Sequence, residues 1–162
     1  MALEIERKFL VISDNWQRLG TPEVVRQGYL SRDIERTVRV RIKGDKAFLT
    51  IKGRNEGAVR TEFEYAIPTD EAAVLLDTLA LKPLIEKTRT KVAYADKIWE
   101  IDRFFGENEG LVLAEVELAS ENETVQLPPW IGQEVTHLTR YYNSALSERP
   151  YCKWTEEEKA GL

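Results

Sequence analysis

The chain holds one cysteine, Cys152, and one histidine, His137, among 162 residues. A lone cysteine closes no intrachain disulfide, and the two residues are too few for a zinc site of thiolates and imidazoles. Both are read as bystanders, Cys152 in packing and His137 on the surface or at a cap. No apolar run approaches the length of a membrane span, and no signal peptide is seen ahead of the first strand. Fixed-period repeats, low-complexity stretches and linkers are also missing. The expectation is one cytoplasmic domain over 1–162 with no membrane partner. A net charge of -5 argues against a duplex nucleic-acid binder held by phosphate contacts.

What the chain does have is a succession of short alternating segments. Residues 4–11 read as a strand, followed by a loop or short helix at 14–20 and strands at 24–31, 36–43, 46–52 and 61–67. Gly44-Asp45 supplies a tight hairpin turn. Pro68 ends the fifth strand, and Thr69-Asp70 is placed to cap a helix to about 81, with Ala72, Leu75, Leu76 and Leu79 on one side. Strands follow at 85–94, 98–104 and 111–118, with a turn at Ala95-Asp96. Ser120 and Glu123 resemble a capping box, and 139–147 reads as helical before a charged tail. About eight hairpin-linked strands imply a mainly antiparallel α+β meander or barrel, with helices packed on or into it.

Side chains alternate across a strand, so each strand sorts into two faces. Glu4, Glu6 and Lys8 share one face, spaced about 6–7 Å apart. The same parity groups Arg39 with Arg41 and Lys43, Thr50 with Lys52, and Glu62 with Glu64. It also groups Lys87, Arg89 and Lys91, then Glu100 and Asp102, then Glu115 and Glu117. The opposite faces carry Val38, Val40, Ile42, Leu49, Ile51, Phe63, Trp99, Ile101, Val116 and Leu118. For any one strand this is the ordinary wet face of an antiparallel sheet. Taken together, the charges segregate by strand, and like charges at i and i+2 repel unless compensated. A polyanion on the basic strands and divalent cations on the acidic ones would compensate both, since carboxylates suit hard cations and Lys and Arg suit phosphate. A barrel with the charged face inward and the apolar face under helices satisfies the pattern. Its lumen would trap a charged ligand.

The ordered set Glu4-x-Glu6-x-Lys8, Gln27-Gly28-Tyr29-Leu30, Arg39-x-Arg41, Leu49-Thr50-Ile51-Lys52 and Glu62-x-Glu64-Tyr65 resembles the CYTH superfamily, the triphosphate tunnel metalloenzymes. The resemblance continues through Lys87-x-Arg89, Glu100-Ile101-Asp102, Ala114-Glu115-Val116-Glu117, Gly132-Gln133-Glu134-Val135-Thr136 and Tyr142-Asn143-Ser144-x-Leu146, nearly the whole chain. It implies an eight-stranded closed antiparallel barrel that holds a triphosphate with Mg²⁺ or Mn²⁺. By size the chain looks most like the small bacterial inorganic triphosphatases. The family also includes class IV adenylate cyclases and thiamine triphosphatases, and a non-catalytic polyphosphate-binding module is the reading from another class.

On that resemblance, Lys8, Arg39, Arg41, Lys52, Lys87 and Arg89 bind the substrate phosphates. The metal group is Glu4, Glu6, Glu115 and Glu117, then Glu62 and Glu64, with Asp102 at a second metal or its water. Lys8, Lys52 and Glu64 are assigned to catalysis. Glu100 and Lys91 are ion-pair residues of the lumen and Lys43 a rim residue. The expected partner is a small-molecule triphosphate, with a homodimer through the helix at 72–79 left open.

Overall fold

A computed structural model describes residues 3–162. β1 (Leu3–Val11), β2 (Pro22–Ser31), β3 (Thr37–Lys43), β4 (Lys46–Lys52) and β5 (Val59–Ile67) precede α1 (Thr69–Thr78). β6 (Ile85–Tyr94), β7 (Lys97–Phe104), β8 (Val112–Glu117) and β9 (Ile131–Glu134) follow it. The C-terminal stretch is built from 3₁₀ turns and two short helices, α2 (Asn143–Leu146) and α3 (Glu156–Lys159). No helix among the described residues is long and apolar enough to cross a membrane.

The strands are ordered β5-β4-β3-β2-β6-β7-β8-β1, and β1 closes the ring on β5 through the pairs Leu3↔Thr61, Glu4↔Arg60 and Ile5↔Val59. The closed eight-stranded barrel that the resemblance implies is therefore present. β9, not anticipated from the sequence, pairs with the later part of β1 at Phe9 and Val11. Tight turns join the hairpins: Gly44 has φ 61°, and Ala95 and Asp96 have φ 49° and 66°, the two-residue left-handed geometry that matches strand twist.

The apolar faces point outward and are covered on most strands, while Ile51 of β4 and Phe63 and Tyr65 of β5 stay exposed. Phe9, Trp99, Ile101 and Val116 pack with Trp16 and Trp130 from flanking loops, the Trp99 ring lying 5.5 Å from Phe9 and 5.9 Å edge-on from Trp130. α1 buries Ala72 and Leu76 against Val40 and Ala47. Gly28 permits this contact, because a Cβ there would meet Leu84 Cδ2 at 2.7 Å, Ala80 Cβ at 2.9 Å and Leu76 Cδ2 at 3.1 Å. The helix begins at Thr69 with Pro68 as its cap residue and no side-chain cap, rather than on a Thr69-Asp70 cap. It stops before 81 because the Leu81 amide donates to the Tyr29 carbonyl of β2 (2.9 Å).

A third cluster lies inside the barrel. Ile85, Phe104 and Leu113 share their strand faces with Lys87, Asp102 and Glu115, and they pack with Val135, Tyr141, Leu146 and Trp154. The C-terminal segment thus fills one end of the barrel with apolar side chains, and the charged lumen above it is a blind cup. Several local expectations fail. The capping-box pattern at Ser120 and Glu123 opens no helix, whereas residues 14–20 form turns in keeping with the loop expected there. Residues 139–147 split into a 3₁₀ turn at Thr139–Tyr141 and α2, because Tyr142 between them is extended (φ −67°, ψ 139°). Cys152 is exposed rather than packed, and His137 is exposed as expected.

Candidate active site

Parity decides which side chains enter the lumen, and register decides how deep they sit. Glu4, Glu6 and Lys8 of β1 line it with Arg39, Arg41 and Lys43 of β3 and Thr50 and Lys52 of β4. Glu62 and Glu64 of β5, Lys87 and Arg89 of β6, Glu100 of β7 and Glu115 of β8 complete the charged wall. In a ring of eight strands, β3 lies across from β8, and β6 lies across from β5. Basic strands therefore face acidic strands. The enclosed volume is about 190 Å³, which suits a small anion rather than a macromolecule.

The ion pairs fall into three groups. Lys52 Nζ lies 2.8 Å from Glu4 and 3.2 Å from Glu62. Burial works against the Lys52 ammonium, but Glu4, Glu6 and Glu62 together outweigh it and hold its pKa above the ordinary lysine value. Burial likewise pushes the Glu4 carboxyl up, but Lys52 and a hydrogen bond with Glu62 together hold it below its ordinary value, while burial and Glu4 push Glu62 up.

Lys8 Nζ donates to the Tyr141 carbonyl (3.3 Å) and lies 3.7 Å from Glu115, its cross-strand partner. Burial pushes the Glu115 carboxyl up, and Lys8, Arg89 and Lys87 together more than reverse this, leaving it firmly anionic. Its neighbour Glu6 shifts in the opposite direction. Burial, then Glu115 and Glu4, push Glu6 well above the usual carboxylate range.

Asp102 anchors the third group. Its Oδ1 accepts from Arg89 Nε (2.7 Å), and its Oδ2 accepts from Lys87 Nζ (2.7 Å) and a second Arg89 nitrogen (2.8 Å). Burial depresses the Lys87 ammonium to about 8, with Arg89 adding to it and Asp102 opposing it.

Arg39 and Arg41 are held more loosely. Arg39 donates to Thr50 at 3.3 Å and Arg41 to Glu64 at 3.5 Å, and the buried Nε of each has no partner. Burial, with Arg39 and Arg89 nearby, lowers the Arg41 guanidinium to about 10. Unsatisfied buried donors are costly, and an anion in the lumen is the group that relieves them.

Of the residues singled out from the sequence, Asp102, Glu117 and Lys91 do not join the lining. Asp102 is buried behind Lys87 and Arg89, with both oxygens engaged by those two cations. Glu117 is exposed at the end of β8, outside the cavity. Lys91 is also exposed, whereas Glu100 and Lys43 do line the lumen.

The lining also includes residues that were not singled out for the site. Arg60 belongs to β5, two positions before Glu62. It donates to the Gly53 carbonyl (2.8 Å) and Thr37 (3.2 Å) and lies 6.0 Å from the Tyr142 ring centre. Reading β5 from 61 concealed it, although the alternation Arg60-x-Glu62-x-Glu64 is present. Tyr142, Asn143 and Ser144 form the floor, and no strand pattern signals them.

Among the described residues, no three acidic, Cys or His side chains stand as a ready-made metal cluster. What the wall offers is two carboxyl pairs, Glu6 with Glu115 and Glu4 with Glu62, each pressed close enough to share a proton. That arrangement fits a divalent ion taking one or two carboxylates and completing its shell with phosphate oxygens and water.

Comparison with known proteins agrees with this geometry. An inorganic triphosphatase of Acetivibrio thermocellus is 47% identical over 156 residues, covering 96% of this chain and 100% of that protein. An inorganic triphosphatase of Nitrosomonas europaea is 36% identical over 149 residues, covering 89% of this chain and 96% of that protein. A crystal structure of an inorganic triphosphatase superposes with a TM-score of 0.65 at 35% identity, covering 91% of this chain and 95% of that one. The CYTH domain family matches residues 2–151, and the chain belongs to that family.

Proposed function

We propose that this chain hydrolyses inorganic triphosphate to pyrophosphate and phosphate in the barrel lumen, with Mg²⁺ or Mn²⁺ bound beside the substrate. The observation that carries the reading is the opposition of under-satisfied Arg39 and Arg41 to proton-sharing carboxyls within one blind, buried cup. An anion binder alone gains nothing from the carboxylates, and a cation site alone gains nothing from the arginines. The relatives' activity supports the same assignment.

Arg39, Arg41, Lys87 and Arg89 bind and orient the phosphates, the guanidiniums by paired N–H donors. Glu4, Glu6, Glu62 and Glu115 are the residues that would hold the metal. A divalent ion there supplies charge neutralisation and a more acidic bound water. Attack on the terminal phosphorus runs through a loose transition state, so this wall acts by positioning and neutralising charge. Lys52 stays protonated beside Glu4 and serves as a fixed positive charge near the leaving oxygen rather than as a proton donor. Lys8 holds a terminal phosphate near Glu115. Glu64, accepting from Thr50 (2.9 Å), keeps Arg41 aimed into the lumen. The lone, exposed cysteine supports a reducing cytoplasmic setting.

The test is phosphate release from tripolyphosphate with Mg²⁺ and with Mn²⁺. Turnover should vanish with a chelator and fall about 10²-fold or more in Arg41→Ala. Cyclic AMP formed from ATP, or binding without turnover under any divalent ion, would overturn the assignment.

A further inference from the structure

The floor of the cup is not part of any strand, yet it supplies one polar side chain with a fixed orientation. Asn143 Oδ1 accepts from Lys87 Nζ at 3.0 Å and from Gln27 Nε2 at 2.9 Å. An ammonium can only donate, so the Asn143 atom facing Lys87 must be the amide oxygen. The NH₂ group is then directed away from Lys87, and it has no protein acceptor among the described residues, while Asn143 itself borders the lumen. Gln27 is fully buried on the lumen face of β2, and Asp102 holds Lys87 from the other side at 2.7 Å. The amide is thus clamped by two donors on rigid strands.

We propose that Asn143 is a substrate-binding residue of the tunnel floor. Its NH₂ donates to an oxygen of the innermost phosphate, and its carbonyl holds the Lys87 ammonium in the position from which Lys87 contacts the same phosphate. The inference rests on the reading that the lumen receives a triphosphate. It makes the C-terminal segment, which no strand pattern marks, part of the site. It also gives the cup an end-stop, since a chain of phosphates entering from the open mouth meets Asn143 and goes no further.

Asn143→Asp tests this sharply. It keeps the size of the side chain and both accepting contacts, to Gln27 and Lys87. It replaces the one donor aimed into the lumen with an anionic oxygen. A purely structural Asn143 predicts near-normal binding, because Asp preserves the floor and adds an ion pair to Lys87. A phosphate-binding Asn143 predicts repulsion.

Two readouts are needed: tripolyphosphate affinity by calorimetry with Mg²⁺, and steady-state hydrolysis of tripolyphosphate, each with the melting temperature of the same sample. In Asn143→Asp we expect affinity and kcat/KM to fall about 100-fold, mainly through KM, with the melting temperature unchanged or raised. In Asn143→Ala, which also covers the case in which the Asp variant does not fold, the loss should be about 10-fold. An Asp variant within twofold of wild type, an Ala variant weaker than the Asp variant, or a loss confined to kcat would overturn the inference. Wild-type protein that binds tripolyphosphate without turning it over would refute the proposed hydrolysis and leave the affinity comparison to decide on Asn143. A wild type that does not bind tripolyphosphate overturns both.

Discussion

Lys87 and Asp102 form a contact of 2.7 Å in which both side chains are only 1% exposed. Arg89 closes on the same carboxylate from a second direction. A buried charge group of this kind owes little net stability to its existence, but removing one member leaves the others uncompensated at a cost of about 3–5 kcal/mol. Asp102→Asn should therefore lower the melting temperature of metal-free protein by about 10 °C. Glu117→Gln, at an exposed position, should leave it unchanged. Thermal denaturation in a chelator checks both. If Asp102 were instead an open metal ligand, its loss would weaken metal binding and spare the metal-free melting temperature.

The same Lys87 sets an alkaline limit on activity. Its ammonium is depressed to about 8, chiefly by burial. The group is charged below that value and neutral above it, so phosphate binding weakens as pH rises through about 8. The pH profile of kcat/KM reports groups of the free enzyme and should show a descending limb there. In Lys87→Arg the side chain does not titrate in this range, and the limb should move to higher pH. A wild-type profile that stays flat to pH 9.5 would show that Lys87 is not needed in charged form.

How much of this was readable in the chain depends on what alternation can and cannot encode. A strict period of two assigned Arg39, Arg41, Glu62, Glu64, Lys87 and Glu115 to one face, and the structure keeps all six on the lumen. Parity says nothing about height along the barrel axis. Asp102 and Glu117 have the right parity, but register puts one behind Lys87 and the other outside the cavity. β9 spans only Ile131–Glu134, too short to show a pattern. The helix expected over 139–147 is interrupted where Tyr142 is extended, and its ring there faces Lys8 at 5.4 Å and Arg60 at 6.0 Å. Those long-range contacts override local propensity, and a single sequence does not display them.

Gly28 tests the packing that fixes the basic strands. It lies on the outer face of β2, where a methyl group would come within 3.1 Å of three side-chain atoms from the α1 region and the loop that follows. Overpacking a tight contact costs about 1–3 kcal/mol. At about 2–4 °C per kcal/mol for a chain of this size, Gly28→Ala should melt roughly 2–12 °C lower. Because the lumen is on the other face of β2, KM for tripolyphosphate in the folded fraction should stay within about twofold. A large change in KM with no change in melting temperature would place Gly28 in the site rather than under the helix.

Glu6 links metal binding, pH and stability. Burial, together with Glu115 and Glu4, raises its folded-state carboxyl well above the unfolded value of about 4.3. A raised carboxyl contributes stability that is complete below the unfolded value and is lost as pH rises through the folded one. Metal-free protein should therefore lose stability on going from pH 4 to pH 8 through this group. Glu6→Gln, which fixes the neutral form, should match wild type at pH 4 and melt several degrees higher at pH 8 in a chelator. Adding Mg²⁺ at pH 8 should reverse the order, because the ion replaces the shared proton in wild type and finds one carboxylate fewer in the variant. The same exchange predicts proton release when Mg²⁺ is added to lightly buffered wild-type protein, and little release from Glu6→Gln. Paired melting curves at the two pH values decide the point. A Glu6→Gln protein no more stable than wild type at pH 8 without metal would show that Glu6 does not carry the strained charge of the Glu6–Glu115 pair.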